Sequence, residues 1–85
     1  MTGNVKRSFI EEKIKEILSA KLGLDNRDIK STSLLMNDFG LDSFDALRII
    51  FEVEDVFNIK VPPTEVLDIR TVNDIVSYIQ GRLSA

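Results

Sequence analysis

The chain contains neither cysteine nor histidine among its 85 residues. Without cysteine there is no disulfide framework and no thiolate metal site, a pattern that fits a reducing compartment. Without histidine, the side chain most often used as a general base near neutral pH is missing. No apolar run approaches the roughly 18 residues of a spanning helix, and the N-terminus lacks the apolar stretch of a signal peptide. The Rossmann and Walker glycine patterns are absent. Basic charge is scarce too, with 11 Lys and Arg against 14 Asp and Glu and a net charge of −3. Nucleic-acid phosphates need basic patches, so this balance disfavours them as partners. The expectation is a cytoplasmic monomer without stable membrane insertion.

What is present indicates one small α-helical domain over 1–85, with residues 1–6 a loose terminus. A hydrophobic content of 44% is ordinary for a globular chain, and 29% charged residues argue against disorder. Ser8 and Glu11 have capping-box spacing, Ile10, Ile14, Ile17, Leu18 and Leu22 recur at helical intervals, and Gly23 supplies a stop. This predicts a first helix over 8–21. A long connection to about residue 41 needs anchors, for which Ile29, Leu34, Leu35 and Phe39 are the candidates. Asp42 is placed to cap a second helix over 43–57, which Asn58 and the Pro62–Pro63 pair end. A short helical turn over 64–67 comes next. Thr71 and Asp74 then form another capping signature, before Val72, Ile75, Val76 and Ile79 on one face. No segment reads convincingly as a strand. The fold class is all-α: a small four-helix bundle with three main helices, one short helix and a long first loop.

The second helix is unusual in charge and in pattern. From Asp42 to Phe57 the acidic residues Asp42, Asp45, Glu52, Glu54 and Asp55 are opposed by Arg48 alone, whereas the segment 5–22 is net basic. An acidic helix face suits a basic partner, although a merely solvated face has the same signature. At about 100° per residue, Ala46, Ile49, Ile50, Val53, Val56 and Phe57 form a core-facing arc. Phe44, Leu47 and Phe51 form a second arc on the far side. So small a bundle cannot easily bury both, and part of the second arc is expected to be exposed as a docking patch beside Ser43. The competing expectation is that the long loop covers it.

Ser43, at the head of this acidic helix, has three readings. A hydrolytic nucleophile needs an adjacent base, and no histidine is available. A plain helix-start residue needs no further explanation. An attachment point for a phosphate-linked group suits the positive end of a helix dipole. Asp38, Asp42 and Asp45 would repel a free phosphate, which favours a covalent link made by another enzyme. Metal binding is not expected, because the oxygen-rich stretch 37–42 lacks calcium-loop spacing and its closing Glu.

Phe39-Gly40-Leu41-Asp42-Ser43-Phe44-Asp45 resembles the G-x-D-S-L segment of acyl carrier proteins. The likeness continues through Glu54-Asp55-Val56-Phe57-Asn58-Ile59-Lys60-Val61-Pro62, and through 69–79 in the last helix. The resemblance implies a non-catalytic carrier with 4′-phosphopantetheine, donated by coenzyme A, on Ser43 next to Asp42. It implies a phosphopantetheinyl transferase and acyl-transferring or synthase enzymes with basic patches as partners, docking on Phe44, Asp45, Leu47, Arg48, Phe51, Glu54 and Asp55. It also implies that acyl cargo shelters between the second helix and the last. A start at Met1 fits the stand-alone type. Phe44 in place of the usual leucine, and Arg48 where fatty-acid carriers tend to be acidic, imply a specialised lipid or polyketide pathway. A peptidyl or aminoacyl carrier, or a helical interaction module with no prosthetic group, remains open.

Overall fold

Helix ends in this protein are fixed by a few polar groups, and those groups decide which loops can pack. The computed structural model describes residues 6–84, with helices α1 (Arg7–Leu22), α2 (Ser43–Phe57), α3 (Pro63–Val66) and α4 (Val72–Ser84). Among the described residues there is no strand, only an isolated antiparallel bridge between Leu34 and Thr71. The loose terminus expected at 1–6 lies outside the described residues except for Lys6, whose extended backbone leads into α1.

The expected Ser8–Glu11 capping box does not form. α1 starts at Arg7, where the Lys6 carbonyl accepts from the N–H groups of Phe9 and Ile10 at 3.1 and 3.3 Å. The cause is tertiary. The Arg7 guanidinium donates to Ser77 Oγ at 3.1 Å and also to Asn73 on α4, which draws residue 7 into the first turn. Glu11 pairs instead with Lys15 one turn on, at 3.3 Å. Gly23 ends the helix as expected, at φ 70° with its N–H on the Ser19 carbonyl.

Ile10, Ile14, Ile17 and Leu18 of α1 are buried against Val72, Ile75, Val76 and Ile79 of α4 and Ile49 and Val53 of α2. α1 is thus the central rod. The α2 arc inferred from the sequence holds for Ile49, Ile50 and Val53, but Val56 is 47% exposed. An angular projection gives direction only, and Val56 lies near the end of the helix, just before Asn58 turns it off at φ 55°.

The long connection is stitched to the start of α4. Leu35 donates its N–H to the Arg70 carbonyl at 2.9 Å, while Val72 and Asn73 donate theirs to the Ser33 and Ser31 carbonyls at 3.1 and 2.8 Å. The next two N–H groups, of Asp74 and Ile75, go to Thr71 Oγ1 and the Thr71 carbonyl. With the Thr71 N–H on the Asp74 carboxylate, the four donors that a helix start leaves over, those of residues 71–74, are all satisfied, two of them by the loop, and Ile75 makes the first regular helical bond. Ile29 and Leu35 are buried anchors, as expected, with Leu41 in addition, and Phe39 is half-buried. Leu34 is not an anchor but is exposed, at the isolated bridge to Thr71 from which the chain enters the turn over residues 35–39. A single 3-10 turn, Asn26–Asp28, capped by the Asp25 carboxylate, also lies in this stretch and has no counterpart in the expected elements.

The Thr71–Asp74 box closes reciprocally, with Asp74 Oδ2 accepting from the Thr71 and Arg70 N–H groups at 3.1 and 3.0 Å. The Arg70 N–H, foremost, holds the Asp74 carboxyl below its ordinary range, against partial burial and with help from Thr71. Thr71→Ala is expected to cost about 1 kcal/mol in urea unfolding. Because the folded state lowers this pKa, the box's stability is present above the unfolded carboxyl value and is lost as pH falls through the folded one. Asp74→Ala should accordingly flatten the acid limb of the stability curve.

Candidate functional site

Gly40 sits at φ 68°, a left-handed turn that redirects the chain, and buried Leu41 anchors the segment that enters α2. Asp42 is extended, and its carboxylate accepts the Asp45 N–H at 2.9 Å. Asp42 is therefore the cap, and Ser43 is the first residue of α2. A serine in the capping position would have its hydroxyl tied to the backbone. Here Ser43 is exposed, and its hydroxyl makes no hydrogen bond to any other described residue.

The surroundings of Ser43 are acidic on one side and apolar on the other. Asp38 is turned back on the loop, where it accepts the Leu34 N–H at 2.6 Å. On the apolar side Ser43 borders a cleft of about 490 Å³. Ala46, Leu47 and Ile50 of α2 form one wall, Val66 of α3 and the adjoining Leu67 another, and Leu34 and Met36 the loop side. This corrects the expectation of a shelter between the second helix and the last: the cleft opens between α2, α3 and the long connection. The gap between α2 and α4 is filled by core side chains, whereas α3 is a single turn that leaves room beside it.

The second apolar arc of α2 splits in two. Phe44 and Phe51 are 77% and 58% exposed, and the loop does not cover them. Leu47 is half-buried in the cleft wall. Arg48 and Asp55 are exposed and Asp45 half-exposed, together with Phe51 along a shallow groove between α2 and the end of α1. Lys21 of α1 reaches Glu52 across this groove at 3.6 Å, a pairing the sequence pattern does not reveal because it joins distant segments. Glu54 stands apart: its carboxylate accepts the Val61 N–H at 2.8 Å. Met36, Val66 and Leu67 join the site without any signal in the sequence, since only the folded placement of the long connection and of α3 brings them to the cleft that Ser43 borders. Among the described residues no group of side chains could hold a metal ion, and no helix is long and apolar enough to cross a membrane.

Residues 12–79 match the family model for the phosphopantetheine attachment site. Similar proteins include the acyl carrier protein of Thermotoga maritima, 39% identical over 91% of this chain and 95% of the relative. That of Phytoplasma australiense is 38% identical over 89% of this chain and its own full length. That of Clostridium acetobutylicum is 38% identical over 86% of this chain and 95% of the relative.

If the cap belongs to Asp42, Ser43→Ala should change unfolding free energy by no more than about 0.5 kcal/mol, as for other exposed sites. Asp42→Ala should cost about 1 kcal/mol. A loss above about 2 kcal/mol on removing the serine hydroxyl would mark it as a structural group instead.

Proposed function

The chain belongs to the acyl carrier protein family, and on that premise we propose that the Ser43 hydroxyl is where its 4′-phosphopantetheine is attached. Members of this family are carriers rather than catalysts, and the prosthetic group is covalent. When bound, it supplies the thiol that this cysteine-free chain lacks, on which acyl groups are held as thioesters. The single observation carrying the assignment of Ser43 is its exposed, unengaged hydroxyl at the start of α2, next to the apolar cleft. Having no histidine, the chain leaves the base for this attachment to the phosphopantetheinyl transferase that moves the group from coenzyme A.

In this reading Asp42 fixes the helix start that presents Ser43, and the cleft shelters the first part of the acyl chain. Partner enzymes dock on Phe44, Asp45, Arg48, Phe51 and Asp55. Leu47 serves the cleft instead, and Glu54 the turn before α3. We assign the pathway to specialised lipid or polyketide synthesis on the strength of Arg48. It is an exposed cation with no ion pair among the described residues, set between acidic neighbours at positions 45, 52 and 55. With Lys21 already neutralising Glu52, this stretch of α2 offers a partner mixed charge rather than a uniformly acidic stripe. The relatives' names favour acyl over peptidyl cargo.

Incubation with coenzyme A and a broad-specificity transferase should add one phosphopantetheine to the wild type, by intact mass, and none to Ser43→Ala. Modification that persists in the variant would move the attachment elsewhere. Arg48→Glu should change kcat/KM with the cognate partner by up to about five-fold, the equivalent of about 1 kcal/mol for one exposed charge pair. Unchanged turnover with every partner tested would remove Arg48 from recognition.

A further inference from the structure

α3 is a single turn, and isolated helices below about 12 residues barely hold together in water. Pro62 gives it no side-chain cap, and none of its four residues is buried. Its position is nonetheless fixed, by polar ties remote from the cleft. The Tyr78 hydroxyl of α4 donates to the Glu65 carboxylate. The Arg82 guanidinium, one turn further on, donates to the Lys60 carbonyl at 2.6 Å and stands 5.5 Å from the centre of the Tyr78 ring. Glu54 of α2 holds the Val61 N–H, and Val61 itself is buried. Burial, and then Glu65, push the Tyr78 phenol above its ordinary pKa, so it is a firm proton donor at neutral pH. The other side of the turn is the cleft wall: Val66, and beside it Leu67, which is 77% exposed.

We propose that Tyr78 and Arg82 are positioning residues that pin the α3 wall and so set how long an acyl chain the cleft shelters. This rests on the reading that cargo tethered at Ser43 enters the cleft. A hydrogen bond to a charged acceptor is worth about ten-fold in the equilibrium between tied and released wall. Burial of one or two further methylenes is of the same order. Short chains therefore fit behind a fixed wall, while a longer one gains shelter only by breaking a tie, which gives a length threshold rather than a gradual response.

The test uses the holo protein loaded with straight acyl chains of graded length. It reads thioester cleavage by hydroxylamine, and amide hydrogen exchange at Val66 and Ile69. In the wild type, protection should rise with chain length and then stop rising. Tyr78→Phe keeps the ring but loses the donor; it should move that limit to longer chains and speed exchange at the two amides about ten-fold. Glu65→Ala attacks the same tie from the other side and should do likewise, while Glu65→Gln, which keeps an acceptor but loses its charge, should shift the limit and the exchange by less than Glu65→Ala does. Folded Tyr78→Phe and Glu65→Ala proteins with the wild-type limit and exchange rates would overturn the pin. A wild type whose protection ignores chain length would overturn the cleft reading beneath it.

Discussion

The bond from the Asp45 N–H to the Asp42 carboxylate is the constraint on which the site depends. Helix starts favour serine because its hydroxyl can satisfy a backbone donor, which makes most such serines chemically idle. In this chain the neighbouring aspartate takes that duty, and the serine is displaced by one position into the first turn. The displacement leaves Ser43 with helical backbone, an exposed side chain and no internal partner. Shifting the cap by one residue would keep the helix and lose the handle.

A second layer of control comes from the start of α4, although it lies far from Ser43 in sequence. Its first N–H groups capture the carbonyls of Ser31 and Ser33, and the Arg70 carbonyl holds the Leu35 N–H. Those bonds fix where the turn over residues 35–39 sits, so that Leu35 is buried in the core while Leu34 and Met36, which line the cleft with it, stay exposed. The satisfied backbone of one helix thereby shapes the wall facing another.

Features that depend on near neighbours were legible in the sequence. Asp42, Ser43 and Asn58 marked the bounds of α2 because capping and left-handed termination act within a few residues. The Thr71–Asp74 box was readable for the same reason. Ser8 and Glu11 carried an equally good local signal, yet Arg7 found its partners on α4 and the helix began earlier. Periodicity separated Phe44 and Phe51 from the core correctly. It could not tell that Leu47, on the same arc, would face a cleft, because that hollow exists only once α3 is placed by Tyr78, Arg82 and Glu54. Lys21 with Glu52 lies beyond local reading as well, since α1 and α2 meet only in the folded bundle.

The two surfaces of α2 also bear on how a carrier could give up what it holds. Phe44 and Phe51 project outward, while Ala46, Leu47 and Ile50 of the same helix line the cleft. Returning a sheltered acyl chain to water costs about 0.8 kcal/mol per methylene, so four to six of them cost roughly 3–5 kcal/mol. Covering two exposed phenylalanines in a partner contributes about 1.5–3 kcal/mol each, before the cost of bringing two molecules together is subtracted. The terms are comparable, so docking alone leaves the exchange near balance. A partner that also offers the acyl chain its own apolar site tips it toward transfer, and one without such a site leaves the cargo where it was. Selectivity of delivery then needs no large motion of the bundle, only a helix whose outer residues are bare and whose inner residues are not quite a core.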